Sequence, residues 1–449
     1  MTADDLLLDD LEARGLVQDT TGRAALARRL GDGPVALYYG CDPTADSLHV
    51  GNLIGLLVLR RFQDAGHHPV ALAGGATGMV GDPSGRSEER NLLDEEVLAR
   101  NVAAIKAQMA RLLDFEGGRA ELVDNREWTA GLTLLDFLRD VGKHVTVNQM
   151  LARESVRARL SGESGISFTE FSYMLLQAHD YLRLHVDRGV DLQVGGSDQW
   201  GNMVSGVDLV RRVTGDAVHA LSWPLLLAPD GTKLGKTTGA RVWLDPAKTS
   251  PYQFFQHWMQ ADDRQVRDLL AKFTLFPVAE VDEVAAEHAR HPERRVGQRR
   301  LADEVTRLVH GEAAAASAAE ASLVLFGEDP REASAGALAT VAAEVPGAAL
   351  PAELPEGGVS VVDALVATGL ARSKGDARRS VAQGAVAVNG ERVGDDARVT
   401  TDEVLHGRYV VLRNGRRRYA VLVLDGGPGP RPPADLPAPP AGGGRLAGP

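Results

Sequence analysis

The sequence predicts an α/β fold: a parallel-sheet domain with a ligand-binding edge, then an α-helical domain, then a small α+β module. Three observations predict it. Apolar runs of strand length, ALYYG (36–40) and PVALAG (69–74), flank an amphipathic stretch from 51 to about 65, which makes a βαβ unit. Glycine-rich turns, GGATGMVGDPSG and VGGSDQWGN, follow strand-like runs, as expected where a parallel sheet presents its ligand edge. From about residue 250 the strand signal stops, and SPYQFFQHWMQ, VRDLLAKF and LADEVTRLVH read as successive helices.

These patterns divide the chain into a sheet domain at 1–247, a helical domain at 248–325, and a linker at 326–358 that is rich in alanine and carries prolines at 346, 351 and 355. Residues 359–424 regain structure. There VVDALVATGLARSKGDARRSVAQGAVAVNG reads as two short helices, a strand and an Asn-Gly turn, and YVVLRNGRRRYAVLVL reads as a hairpin. The segment 425–449 is expected to be a disordered tail, since residues 426–449 hold 8 prolines and 7 glycines and few large apolar groups to offset ordering entropy.

With 449 residues, 44% of them hydrophobic and 24% charged, the chain is globular and long enough for several domains. The net charge of -12 argues against a surface covered in phosphate-binding groups. Charge is unevenly spread, however: 359–424 has 11 Lys and Arg against 7 Asp and Glu, a net +4, which leaves the rest at -16. The lone cysteine, Cys41, excludes an intramolecular disulfide and a cysteine-rich zinc site, and suits a reducing compartment. An acidic start, MTADDLLLDDLEARG, and the lack of any long apolar run point to a cytoplasmic protein without membrane insertion.

Two segments carry the chemistry. The first, DPTADSLHVGN (42–52), enters the first helix, where free N–H groups and the positive dipole end favour an anion; Thr44, His49 and Asn52 add donors, and Gly51 permits close approach. Helix capping with an incidental histidine accounts for that segment alone equally well. The second, DGTKLGKTT (230–238), offers two ammonium groups three residues apart and a hydroxyl, able to fold over a polyphosphate. By itself it reads as a solvated lysine loop. Neither the 42–52 segment nor GGATGMVGDPSG is a Walker loop, since GxxxxGK followed by Ser or Thr is absent from both. Tyr173, Gln177 and Asp180 fall at i, i+4 and i+7, so they share one helix face and can converge on one ligand, although an amphipathic helix with a solvated face fits the same spacing.

Together and in this order, the two segments resemble the HIGH and KMSKS signatures of class I aminoacyl-tRNA synthetases. YYGCDPTADSLHVGN, GGATGMVGDPSGRSEER, GISFTEFSYMLLQAHD, LQVGGSDQWGN and DGTKLGKT narrow the resemblance to the bacterial-type tyrosyl-tRNA synthetases. The 359–424 module resembles an RNA-binding domain shared by a small-subunit ribosomal protein and some pseudouridine synthases. The resemblance implies a Rossmann-like catalytic domain that activates tyrosine with ATP and transfers the tyrosyl group to tRNA(Tyr). The competing readings are a tryptophanyl-tRNA synthetase and a non-catalytic RNA-binding relative.

The resemblance also implies roles. Thr44, His49 and Asn52 would serve the phosphate side of the transition state. Lys233, Lys236 and Thr237 would close over the leaving pyrophosphate, with Arg86 and Arg90 beside it. Tyr38 and Asp180 would hydrogen-bond the substrate phenol; Asp82, Tyr173 and Gln177 would meet its ammonium, and Gln199 its carboxylate. Asp42, Gly51, Gly196, Asp198 and Lys236 would bind ATP. Magnesium would accompany the ATP phosphates. His67, His68, His179 and His185 form no coherent ligand set, so no structural zinc is expected. Cys41 and Met79 are expected to fill pocket or core. A homodimer is implied, and candidate tRNA patches are Arg211 with Arg212, the five arginines 290, 294, 295, 299 and 300, and the basic module. Departures stand out too. Asn52 replaces the signature's second histidine; KLGKT has Leu and Gly for the family's Met and Ser, with both lysines kept; and Gly55, where some relatives have threonine, offers no side chain toward the nucleotide.

Overall fold

The computed structural model describes residues 3–82, 94–153, 156–157, 160, 165–226, 241–394 and 396–424; the 425–449 segment read as a tail lies outside them. The chain forms two compact units, Met1–Ser250 with His257–Val309, and Pro251–Gln256 with His310–Pro449. The helical stretch expected as its own domain at 248–325 is thus divided, its 257–309 part grouping with the sheet.

The first unit is built on a six-stranded sheet in the order β1-β6-β5-β2-β3-β4. Its strands are β1 (Asp19–Thr20), β2 (Ala36–Cys41), β3 (His68–Ala73), β4 (Glu121–Asp124), β5 (Val190–Gly196) and β6 (His219–Trp223). All neighbours run parallel except β1, which pairs antiparallel with β6. The near-continuous apolar character of β2 and β3 has a physical cause: parallel strands are covered on both faces, and Val70, Ala71, Leu72 and Ala73 are all buried. Between them runs helix α1 (Val50–Asp64), which begins at the expected turn and buries Leu53, Ile54, Leu56 and Leu57.

The chain moves outward from β2 to β3 and β4, then returns to the other side of β2 with β5 and β6. Strand order reverses between β2 and β5, and a crevice opens there at the strands' C-terminal ends. Helix α2 (Phe168–Arg188) ends on left-handed Gly189 and leads into β5; helix α3 (Trp200–Val213) follows β5.

Two buried arginines fasten the helix Val266–Phe273 to the sheet layer. Arg61 of α1 donates through Nη2 to the carbonyls of Ala271, Lys272 and Thr274 at 3.2, 3.2 and 2.6 Å, and Arg14 donates to Ala271 and Phe276. A cation at a helix C-terminus is favoured by the dipole and by the unpaired last carbonyls. Burial nevertheless pulls the Arg61 pKa down to about 9.

The second unit, described by itself, carries a five-stranded sheet in the order Glu391–Arg392, Val386–Val388, Tyr409–Asn414, Arg418–Leu424, Gly347–Leu350. The expected helices (Val361–Ala367, Lys374–Ala382) and hairpin are present, and Asn389 and Gly390 turn with φ of 45° and 87°. The expected linker at 326–358 is corrected: it contains the helix Ala335–Glu344 and a strand, Gly347–Leu350, parallel to Arg418–Leu424. The prolines that suggested a linker, Pro346 and Pro351, border an edge strand, where a missing N–H costs no ladder bond. Val410, Leu412, Ala420 and Leu422 pack on Val361, Leu365 and Val381, while Val411, Tyr419 and Val421 pack on Ala321, Val324 and Leu338. The sheet has two apolar faces, and the alanine-rich helices cover the second.

Arg61→Ala strips the Lys272 and Thr274 carbonyls of their arginine donor, leaves Ala271 with Arg14 alone, and opens a cavity. Urea unfolding followed by tryptophan fluorescence should show the first unit destabilised by about 3 kcal/mol; an unchanged midpoint would remove Arg61 as the fastener.

Candidate active site

The crevice holds a cavity of about 380 Å³. Its wall brings together Tyr38, Asp42, Thr44, His49, Gly51, Asn52, Asp82, Tyr173, Gln177, Asp180, Gly196, Asp198 and Gln199, every described residue assigned to the site from sequence. Arg86, Arg90, Lys233, Lys236 and Thr237 lie outside the described residues.

One end is acidic and deeply buried. Asp180 on α2 accepts from Asn125 Nδ2 at 2.9 Å and from Trp128 Nε1 at 2.8 Å. Burial outweighs these two donors and raises its carboxyl pKa to about 7. The buried Tyr38 hydroxyl beside it has no hydrogen-bond partner among the described residues, and burial, then the Asp180 charge, hold its pKa well above the ordinary phenol value. Asp42 accepts from Thr77 Oγ1 at 2.7 Å and from the Tyr173 hydroxyl at 2.8 Å. Because Tyr173 donates its proton to Asp42, its oxygen lone pairs stay available to accept. Gln199 donates to Asp82 at 2.5 Å, and Asn202 donates to Gln177 at 3.0 Å and Gln199 at 3.3 Å.

The other end is the start of α1. His49 is its N-cap, and His49 Nδ1 accepts from the Gly51 N–H at 3.0 Å. That bond places the ring proton on Nε2. Burial first, and repulsion by Arg241 second, lower the His49 pKa to about 4, so the ring is a neutral donor at pH 7. Asn52 Oδ1 accepts from the His49 N–H at 3.1 Å, closing a capping box, while its Nδ2 lies 3.8 Å from Cys41 Sγ. Close approach explains the glycines: a Cβ on Gly51 would lie 2.8 Å from the His49 ring, and one on Gly196 2.9 Å from Asp198 Oδ1.

The absence of a side chain at Gly55 has a packing cause, since a Cβ there would lie 2.3 Å from the Tyr39 ring. One expectation is corrected. Met79 is 44% exposed and lines neither core nor cavity, whereas Cys41 is buried in the cavity wall as expected. Sequence reasoning missed Thr77, Asn125, Trp128, Asn202 and Arg241. Of these, Thr77 and Asn202 sit inside quoted glycine-rich turns, a usable signal; Asn125 and Trp128 have none. Among the described residues, no three His, Cys, Asp or Glu side chains are grouped to hold a metal ion, and no helix is long and apolar enough to cross a membrane.

The family model described as tRNA synthetases class I (W and Y) matches residues 31–327, and one described as the tyrosine–tRNA ligase SYY-like C-terminal domain matches residues 338–422. The chain is 53% identical over 422 residues to the tyrosine–tRNA ligase of Opitutus terrae, covering 93% of this chain and 99% of that one. It is 51% identical over 422 residues to that of Roseiflexus castenholzii, with 93% and 99% covered. Among solved structures it is similar to a C-terminally truncated mitochondrial tyrosyl-tRNA synthetase of Aspergillus nidulans, at 33% identity and a TM-score of 0.65, over 71% of this chain and 94% of that one. A family match over most of the sequence and near-complete overlap with tyrosine ligases place the cavity in its context: the chain belongs to the class I tRNA synthetases of the tryptophan and tyrosine type.

Proposed function

We propose the following division of labour in the cavity. The reaction is tyrosine activation by ATP followed by tyrosyl transfer to tRNA. In the first step the substrate carboxylate, already ionised at pH 7, attacks the α-phosphorus; an O–P bond forms and the bond to the bridging oxygen of pyrophosphate breaks. No protein base is needed, so the site's work is alignment and stabilisation of phosphate charge. In the second step a ribose hydroxyl of the terminal adenosine attacks the acyl carbon and AMP leaves.

The acidic end takes tyrosine. The observation that carries this is the Tyr38 hydroxyl buried beside the Asp180 carboxylate, with no hydrogen-bond partner among the described residues. A phenol there donates to Asp180 and accepts from Tyr38, completing both; phenylalanine completes neither, and exclusion of phenylalanine by tyrosyl enzymes is the established case of this effect. Asp82, Tyr173 and Gln177 receive the substrate ammonium, and Gln199 stands by its carboxylate. Asp42, Asp198 and Gly196 hold the adenosine side of ATP, with Gly51 admitting it to the helix start and Lys236 reaching it. Thr44, His49 Nε2–H and Asn52 face its phosphates, with Arg86, Arg90, Lys233, Lys236 and Thr237 completing the pyrophosphate cradle. Magnesium enters bound to ATP as part of the substrate.

The enzyme acts in the cytoplasm as a homodimer, with tRNA(Tyr) on the exposed arginines 211, 212, 290, 294, 295, 299 and 300 and on the basic 359–424 module. What supports a dimer is the exposed apolar surface of Leu134, Leu135, Leu138, Val147, Leu151 and Phe168, with Leu135 and Phe168 each 77% exposed.

The direct test is exchange of labelled pyrophosphate into ATP. Exchange should depend on tyrosine and fail with tryptophan or phenylalanine; in the same assay Lys236→Ala should lower the maximal rate while the tyrosine Kd holds, and equal loss of both would argue against a transition-state role. Tyrosine affinity should also track Asp180. Its raised pKa, about 7, leaves the accepting carboxylate form predominant only above that value, so between pH 8 and pH 6 the Kd should weaken as pH falls, approaching about tenfold per unit at the acid end. A Kd independent of pH over that range would remove Asp180 as the phenol's acceptor. Leu135→Asp should shift the protein toward monomer in sedimentation; an unchanged mass would place any dimer contact elsewhere.

A further inference from the structure

We propose that Arg241 binds the polyphosphate of ATP and is a further catalytic residue of the activation step. This rests on the reading of the α1 start as the phosphate end, and goes beyond it by naming a cation there.

The first observation is the charge of the wall. Asp42, Asp82, Asp180 and Asp198 line the cavity. His49 and His257 also line it, and burial lowers both to a pKa of about 4, so they are neutral at pH 7. Among the described lining residues that leaves Arg241 as the one side chain with a permanent positive charge. An incoming triphosphate needs compensation that neutral donors supply only in part.

The second observation is how Arg241 is held. The three residues after it lie alongside the start of α1: the Val50 N–H donates to the Val242 carbonyl at 3.1 Å and the Leu244 N–H to the Leu48 carbonyl at 2.8 Å, with His49 opposite Trp243. Arg241 is therefore delivered by backbone pairing to the same end of the cavity as His49. Its guanidinium stacks over the Trp243 ring at 5.5 Å from the centroid, and that ring is 6.2 Å from the His49 ring. Lys248 also approaches Trp243, but it is paired with Asp46 at 2.7 Å and does not line the cavity. A stacked guanidinium keeps its planar donors pointing outward and loses little freedom when a phosphate takes two of them. The charge reaches His49, since Arg241 repulsion is the second cause of that ring's lowered pKa.

The test uses the full-length protein in tyrosine-dependent pyrophosphate exchange. Arg241→Ala should lower kcat/KM for ATP by about tenfold, the scale of one charge-assisted hydrogen bond in a partly open site. It should also raise the pyrophosphate KM of the reverse reaction and leave the tyrosine Kd unchanged, while Arg241→Lys recovers part of the loss. Unchanged ATP and pyrophosphate constants, or an equal loss of tyrosine binding, overturn the assignment. His49→Ala in the same assay separates the two levels: an effect there with none at Arg241 removes only Arg241, and no effect at either removes the phosphate-end reading as well.

Discussion

A circuit of buried and part-buried hydrogen bonds, closed through one helix, holds the acidic end of the cavity, and the rest of the site hangs on it. Tyr173 donates to Asp42, Thr77 donates to the other Asp42 oxygen, Asn125 donates to Thr77 and to Asp180, and Asp180 returns to the helix that carries Tyr173. The loop after β2, the turn after β3, the end of β4 and one face of α2 are thereby tied in one circuit. Asn125 is fully buried and its Oδ1 also accepts from the Ala76 N–H at 2.7 Å, so both halves of its amide are used. Each bond contributes only about 1 kcal/mol net, but an orphaned buried member costs about 1–3 kcal/mol, so the ring is defined chiefly by what breaking it would expose.

The ring also explains the glycine-rich turn. A Cβ on Gly74 would lie 2.3 Å from Asp42 Oδ1 and 2.4 Å from Thr77 Oγ1, and one on Gly75 would lie 2.4 Å from Asp124 Oδ1. A side chain at either position would collide with the carboxylates and hydroxyl that meet there. Both glycines follow β3, which lies between β2 and β4, so Asp42 after β2 and Asp124 at the end of β4 approach them from either side.

How far the sequence could be read depended on whether a residue's role was local. The strands β2, β3 and β5, helix α1 and the shared face of Tyr173, Gln177 and Asp180 follow from local patterns, whereas β1, β4 and β6 were not read, and each described site residue inferred from the motifs lines the cavity. Asn125 and Trp128 were illegible because their meaning comes from Asp180, more than fifty residues away in the chain. The cause of glycine at 55 was illegible for the same reason: the volume a side chain would need is filled by Tyr39, sixteen positions earlier in the chain. The 326–358 stretch misled through composition. Alanine-rich helices have weak amphipathic contrast, and only the two-faced sheet of the second unit reveals that they are needed as a cover.

The replacement of a signature histidine by Asn52 can now be weighed physically. An imidazole at this position matters as a cation only if it is protonated at pH 7, and the neighbouring His49 shows what this end of the cavity does to an imidazole: burial and Arg241 push its pKa to about 4. A second histidine in the same surroundings would face the same penalty and act as a neutral donor, a function that an amide N–H also performs. The asparagine adds something besides. Its Oδ1 takes the His49 backbone N–H, while the Gly51 N–H goes to His49 Nδ1, so the two side chains use two of the helix's unpaired N–H groups and fix the imidazole tautomer. The proton is then confined to Nε2, the nitrogen not engaged by the cap. The pair works as a unit at the helix start, in which Asn52 takes the His49 backbone N–H and His49 takes that of Gly51 and keeps its proton on Nε2.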